Sequence, residues 1–221
     1  MNILAIETSS NACSIALKVN DKINFLHKII PMQQAQNLLP MLDDVIKESN
    51  ISLQEVDAIA FGCGPGSFTG VRIAISVAKG LAFALNKPLI AISSLQVLAQ
   101  TAYDELQFDK VLTAVDARMN EVYFAKYELN TNGIMCLINE EQFGPPEDYI
   151  KTNDQEFYGV GTGFNEYKDL IEVAAKKVNH EIYPNAKSML KIAELKLSKN
   201  EIVSAEDAMP SYLRNKVAKK S

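Results

Sequence analysis

Residues 2–19 of the chain read NILAIETSSNACSIALKV, two runs rich in β-forming residues that are joined by a short polar turn. A third such run at 23–30 follows a tight Asn-Asp turn, so the chain is expected to begin with a meander of three strands. The elements predicted after it are a helix at 35–49, a strand at 56–62, an apolar helix after a glycine-rich loop, a strand at 88–93 and a helix from Ser94. The first half is therefore predicted to be a mixed sheet with helices on it.

The same order of elements restarts near residue 110. Strands are predicted at 111–117, 121–129, 134–140 and 156–161, and helices at about 164–177 and 188–197. No residue-level identity links the two halves, so only the pattern repeats. The prediction is a duplicated α/β fold with two lobes, 1–105 and 106–221, and a cleft between them; one larger α/β domain is the alternative. The sequence leaves open whether the last helices pack back on the first lobe.

Composition excludes several classes of protein. A net charge of −5 over 221 residues argues against a surface that binds nucleic acid by itself, because phosphates need a basic partner surface. Three widely spaced cysteines favour neither a disulfide framework nor a zinc site. The longest apolar run, 73–85, is interrupted by Ser76 and Lys79, and no signal peptide is recognisable, so we expect a cytoplasmic protein without membrane contact. The basic end, RNKVAKKS, could touch a phosphate backbone or be a solvated tail.

The glycine-rich loop GPGSFTG at 64–70 resembles a phosphate-binding loop only superficially. Thr69 stands where a Walker A loop needs its second glycine, no lysine follows Gly70, and the glycine spacing is one residue too long for a dinucleotide fingerprint. The loop is interpreted as a sharp turn into the next helix, capped by a hydroxyl. The residues assigned to this turn and cap are Gly64, Pro65, Gly66, Ser67 and Thr69.

A degenerate nucleotide cleft is the second candidate site. The first turn of each lobe begins with a carboxylate, Glu7 or Asp116, which could hold magnesium through water beside a phosphate, although such residues also simply favour turns. GVGTG at 159–163 could approach an adenosine or serve as a plain strand-to-helix turn. The cleft residues assigned are Glu7, Thr8, Ser9, Ser10, Asp116, Arg118, Gly159, Gly161 and Gly163. With only two histidines and no GxSxG motif, no catalytic residue and no metal site are assigned.

The helix after the loop is apolar on too many sides for an ordinary surface helix. Gly70, Ala74, Ala78 and Ala82 recur every fourth residue and form a stripe that lets another helix approach closely. The rest of the helix surface has only a narrow polar strip. We therefore expect a further structural element, besides its own sheet, to cover this helix. The cover is either the neighbouring helix at 35–49 or two helices of another chain in a four-helix contact.

Four stretches carry a family resemblance: ILAIETSSNACSIAL, LLPML, FGCGPGSFTGVRIAISVAKGLA and AVDARMNEVYFA. In this order they resemble the bacterial TsaB (YeaZ) family, strongly over about the first 130 residues and weakly beyond. The resemblance implies an actin-like, two-lobe fold with a degenerate cleft and an inactive relative of the metal-bearing catalytic subunit TsaD. Such a chain is an accessory subunit that, with TsaD and the ATPase TsaE, supports transfer of threonylcarbamoyl from threonylcarbamoyl-adenylate to the adenosine beside the anticodon of tRNAs reading codons that start with A.

The resemblance also implies partners and an interface. The chain would form a heterodimer with TsaD, meet tRNA only through the complex and form a homodimer when alone. It would have no cofactor of its own, while ATP, magnesium and a catalytic metal belong to the partner subunits. Gln34 and Ala35 depart from a His-Ser pair that is frequent in the family. The interface residues carried over are Leu38, Leu39, Leu42, Ile46, Gly70, Val71, Arg72, Ala74, Ile75 and Ala78.

Two expectations follow from these assignments. Ala74→Glu should abolish complex formation and leave the monomer folded. The alternative function is a magnesium-ATP-dependent phosphotransferase of small molecules that uses the cleft between the lobes; a peptidase and a purely structural dimer rank lower.

Overall fold

The computed structural model describes residues 1–150, 154–168 and 175–213. Its strands are β1 (Asn2–Glu7), β2 (Ala12–Val19), β3 (Lys22–Ile29), β4 (Ala58–Gly62), β5 (Leu89–Ile92), β6 (Lys110–Arg118), β7 (Glu121–Leu129), β8 (Met135–Gly144), β9 (Asp154–Val160) and β10 (Ala175–Asn179). Its helices are α1 (Gln34–Ser49), α2 (Phe68–Leu85), α3 (Ser94–Leu106), α4 (Glu147–Ile150), α5 (Thr162–Glu166) and α6 (Ala186–Ser198), with a 3-10 turn at Leu53–Glu55.

The strands form two five-stranded sheets with one topology. The first has the order β3-β2-β1-β4-β5 and the second, read in the same sense, β8-β7-β6-β9-β10. In each sheet the first three strands form an antiparallel meander, and the fourth and fifth lie parallel to the first. The duplicated α/β architecture with mixed sheets is therefore confirmed, with the order 3-2-1-4-5 written twice in one chain.

The predicted helix at 164–177 is wrong in its last part. Helix α5 ends at Glu166, residues 169–174 lie outside the described residues, and Ala175–Asn179 is the edge strand β10. This strand pairs in parallel with β9, with Val178 opposite Gly159. Its partner lies about 20 residues earlier in the chain, so a short local window of apolar spacing could not reveal the pairing.

The last helix packs on the first sheet. Helix α6 begins after Asn185, whose side chain accepts the N–H of Lys187, and it buries Met189 and Ile192 against Ile3 and Ile90. The chain then returns along the first lobe as an irregular segment with turns, residues 199–213, which we call the C-terminal strap. The last part of the chain thus packs on the first sheet.

Helices α1 and α2 pack on the opposite face of the first sheet. Their inner residues join one core cluster with the sheet, to which α1 contributes Leu38 and Val45 and α2 contributes Ala74 and Ala78. Helix α2 has 18 residues and a mean hydropathy of 1.5, so by length and composition alone it could cross a membrane. The sequence-based exclusion of any such span was therefore too strict. Packing explains part of the apolar composition of α2, because the inner stripe of the helix lies against the sheet.

Candidate functional site

The carboxyl group of Glu7 is enclosed at the end of β1. Its Oε1 accepts the N–H of Ser9 at 2.6 Å and its Oε2 accepts the hydroxyl of Ser94 at 3.0 Å. A Cβ atom at Gly62 would lie 2.0 Å from Oε2, so this glycine leaves the space that the carboxyl group fills. Burial raises the pKa of Glu7, although its hydrogen bonds lower it. Only 1% of Glu7 is exposed, so its carboxyl group makes its contacts in the interior of the lobe.

The glycine-rich loop packs directly on the turn that follows Glu7. The N–H of Ser67 donates to the carbonyl of Ser9 at 2.7 Å, and the hydroxyl of Thr8 donates to the carbonyl of Gly70 at 2.7 Å. A Cβ atom at Gly66 would lie 2.5 Å from the Ser9 oxygen, and one at Gly70 would lie 2.0 Å from the Thr8 oxygen. The loop glycines thus permit close backbone contact with this turn.

The start of α2 and the start of α1 complete this packing. Ser67 is the N-cap of α2 and accepts the N–H of Gly70 at 3.3 Å. Gly64 has φ +94°, a conformation that favours glycine, and the Gly64–Pro65 peptide bond is cis. Gln34, one of the two residues that depart from the family pattern, is buried and donates its Nε2–H to the carbonyl of Ser10 at 2.7 Å. A polar contact to the turn is therefore present at this position.

The second turn satisfies its carboxylate locally. Asp116 Oδ1 accepts the N–H of Arg118 at 2.8 Å and the hydroxyl of Tyr167 at 3.2 Å, and Oδ2 lies 3.0 Å from the Arg118 guanidinium. Arg118 is 82% exposed in its side chain, whereas the Asp116 side chain is 8% exposed. This carboxylate, which the sequence left as either a magnesium ligand through water or a plain turn residue, is paired with Arg118 and Tyr167.

The glycines of GVGTG are explained by packing against the second sheet. Gly161 has φ +113°, and a Cβ atom there would lie 2.4 Å from the Ala114 oxygen. At Gly163 the Cβ atom would lie 3.0 Å from the same oxygen, and at Gly159 it would lie 2.7 Å from the Phe164 ring. These contacts favour the plain strand-to-helix turn that the sequence had left as one of two readings. Among the described residues, no group of three or more His, Cys, Asp or Glu side chains could hold a metal ion.

Glu7→Gln provides a test of the enclosed carboxyl group. The pKa of Glu7 in the folded chain is raised above the ordinary value of 4.5. Between the two pKa values the folded chain therefore keeps a proton that the unfolded chain releases. The free energy of unfolding of the wild type falls as pH rises through this range. The variant lacks this loss, so its stability relative to wild type is expected to increase from pH 4.5 upward and to level off above the folded-state pKa. Urea unfolding of both proteins between pH 4.5 and 8 measures the difference; one that does not change with pH contradicts the assignment.

Most residues assigned to the partner interface lie in the core of this chain. The fully or almost fully buried members of that set are Leu38, Leu42, Gly70, Val71, Ala74, Ile75 and Ala78. Leu39 is 56% exposed, Ile46 is half-buried and Arg72 is exposed. The small-residue stripe faces the chain's own sheet, so the sequence interpretation chose the wrong face of α2. The expectation for Ala74→Glu is corrected accordingly, because a carboxylate at this fully buried position would disrupt the fold itself.

The outward face of α2 is also apolar. We call it the α2 surface, and it consists of Phe68, Thr69, Ile73, Ser76, Val77, Gly80, Phe83 and Ala84, all exposed or half-buried. Phe83 is 85% exposed and Phe68 is 63% exposed. None of these eight residues is charged, but Arg72 and Lys79 lie on the same side of the helix, between Phe68 and Phe83. Sequence analysis missed both phenylalanines. The stripe of small residues could have predicted their exposure. Small residues at every fourth position allow a helix to lie close to a sheet, and the large residues of that helix then face away from the sheet.

Comparisons with known proteins agree on one family. Residues 29–221 match the family model described as TsaD, tRNA N6-adenosine threonylcarbamoyltransferase. The tRNA threonylcarbamoyladenosine biosynthesis protein TsaB of Escherichia coli K12 is 40% identical over 99% of this chain and 96% of its own length, and that of Haemophilus influenzae is 35% identical over 98% and 95%. The structure titled YeaZ from Pseudomonas aeruginosa is 40% identical and superposes with a TM-score of 0.87 over 96% of this chain and 100% of its own. A second Pseudomonas aeruginosa structure, of an uncharacterized protein with similarity to peptidase YEAZ, is 42% identical with a TM-score of 0.90 over 96% and 99%.

Proposed function

Because the chain belongs to the TsaB family of tRNA threonylcarbamoyladenosine biosynthesis proteins, we propose that it acts there as the non-catalytic subunit that binds and activates TsaD. In this proposal TsaD performs the threonylcarbamoyl transfer, TsaE supplies the ATPase activity, and tRNA is bound by the complex. ATP, magnesium and the catalytic metal belong to the partner subunits. The protein works in the cytoplasm.

The observation that carries the proposal is the α2 surface. Monomeric soluble proteins rarely leave large apolar patches in water, and such patches commonly mark contacts with other proteins. Phe83 and Phe68 project from this face, and aromatic residues dominate the energetics of many interfaces. The same face would support a homodimer when the partner is absent, so the two associations compete.

The enclosed cleft residues support a subunit without catalysis of its own. Glu7 is covered by Gly62 and Ser94, and Asp116 is paired with Arg118 and Tyr167. The phosphotransferase alternative requires these carboxylates to face a nucleotide. A net charge of −5 further favours contact with tRNA through the partners and not through this chain alone.

An assay of threonylcarbamoyl transfer with purified subunits tests the proposal. TsaD, TsaE, tRNA, ATP and threonylcarbamoyl-adenylate are combined with or without this chain, and modified adenosine is quantified. Modification is expected to depend on the chain, while the chain alone hydrolyses no ATP above background. The matched control is Glu7→Gln, which should support modification like wild type because the carboxyl group has no catalytic role. Modification that proceeds equally without the chain, or ATP turnover by the chain that Glu7→Gln abolishes, would contradict the proposal.

A further inference from the structure

The C-terminal strap ends beside the start of α2. Val203 forms a β-bridge with Leu89, with N···O distances of 2.8 and 3.1 Å in the two directions. Further along, Ala208 is buried in the core of the first lobe, and the N–H of Ser211 donates to the carbonyl of Cys63 at 2.8 Å. The strap is therefore fixed to the lobe at three points, and its last described residues lie next to the glycine-rich loop.

Two cationic side chains of α2, Lys79 and Arg72, form hydrogen bonds with the strap. Lys79 donates through Nζ to the carbonyls of Glu206 and Ala208, at 3.3 Å each. Seven residues earlier, on the same flank of the helix, Arg72 donates through Nη2 to the hydroxyl of Tyr212 at 2.8 Å. The Arg72 guanidinium also lies 3.7 Å from the centroid of the Phe68 ring. Arg72 thus links the Phe68 ring, on which it stacks, to the Tyr212 hydroxyl of the strap.

The side chains around this contact are exposed to solvent, and a small cavity lies beside them. Phe68 is 63% exposed, Tyr212 is 51% exposed and Met209 of the strap is 64% exposed. A cavity of about 60 Å³ lies between Phe68 and Tyr212 and is also lined by Tyr123 of β7. A water molecule takes up about 30 Å³ in the liquid, so the cavity has room for the end of one aliphatic side chain. Aromatic rings and an arginine around a small hollow are the composition that interface hot spots favour.

We propose that the C-terminal strap is part of the surface that binds TsaD, with Tyr212 and Met209 in direct contact and an aliphatic side chain of TsaD in the cavity. The inference rests on the proposed function. We assign TsaD as the occupant because the cavity adjoins the α2 surface: Phe68 and Arg72 of α2 both line it. A partner that covers the α2 surface reaches the strap without a second docking event. Arg72 is the positioning residue, since it holds the Phe68 ring and the Tyr212 hydroxyl together.

Titration of TsaD against three strap variants tests the inference. Tyr212→Ala removes the ring and is expected to weaken binding about tenfold, whereas Tyr212→Phe keeps the ring, loses the bond to Arg72 and should weaken it about threefold. Glu206→Gln is the matched control, because only the backbone carbonyl of Glu206 contacts α2, and it should bind like wild type. Circular dichroism melting of each variant verifies folding. Partial rescue by phenylalanine separates a ring that contacts the partner from a hydroxyl that only fixes the strap.

The outcomes separate the inference from the proposed function. If wild type binds TsaD and Tyr212→Ala binds equally well, the strap lies outside the interface and only the inference fails. If Tyr212→Ala weakens self-association but not TsaD binding, the occupant is a second copy of the chain and the inference is again overturned. If wild type does not bind TsaD at all, the proposed function fails and the inference fails with it.

Discussion

Gly70→Ala is expected to lower the free energy of unfolding by about 3 kcal/mol, the upper range for overpacking a close contact. In an ordinary helix the same substitution is favourable, because alanine has a helix propensity about 1 kcal/mol better than glycine. Here a Cβ atom would lie 2.0 Å from the carbonyl oxygen of Thr8 and 3.0 Å from its carbonyl carbon, both backbone atoms. Neither atom can move without displacing the turn after β1, so the steric effect outweighs the propensity. Urea unfolding followed by circular dichroism measures the change.

Gly80 supplies the control within the same helix. A Cβ atom at Gly80 meets nothing within 4 Å, so Gly80→Ala should raise the free energy of unfolding by up to about 1 kcal/mol. The two variants differ only in what surrounds the added methyl group. Equal stability of Gly70→Ala and Gly80→Ala would mean that the glycine-rich loop does not pack on the turn after β1.

Nine of the ten strands in the described residues could be predicted because their signals are local. The runs around 2–8, 12–19 and 23–30 are rich in β-formers and separated by short turns, and each became a strand of the first sheet. The duplication could be inferred from the repeated order of elements. Strand β10 was missed because its five residues, AKKVN, pair in parallel at an edge of the sheet, where the partner β9 and not local spacing decides the structure.

The orientation of α2 could not be predicted, for a physical reason. Helical periodicity shows which residues share a face, but when two faces are apolar it does not show which one meets the sheet. Ala74 and Phe83 both lie on apolar faces, and only the packed structure places the first in the core and the second in solvent. The enclosure of Glu7 was equally hidden, because Gly62 and Ser94 reach it from distant parts of the chain.

Ser76→Arg is expected to weaken TsaD binding at least about a hundredfold, which corresponds to loss of a central interface contact. Ser76 lies at the middle of the α2 surface and is exposed, so its replacement removes no packing within the chain. A partner covering this face would have to bury an unpaired guanidinium, and desolvation of an unpaired charge is strongly unfavourable. Calorimetric titration with TsaD measures the affinity, and threonylcarbamoyl transfer should fall to the level seen without this chain. The melting temperature should stay unchanged.

Ser198→Arg is the matched control for this prediction. It makes the same substitution at an exposed serine, in the last turn of α6, where a cation interacts favourably with the helix carbonyls. Since α6 packs on the other face of the first sheet from α2, this variant should bind TsaD like wild type. Comparing the two variants therefore distinguishes the effect of a charge on the α2 surface from the effect of an added charge anywhere on the chain. Wild-type affinity of Ser76→Arg would mean that TsaD binds elsewhere, and that the α2 surface has another role.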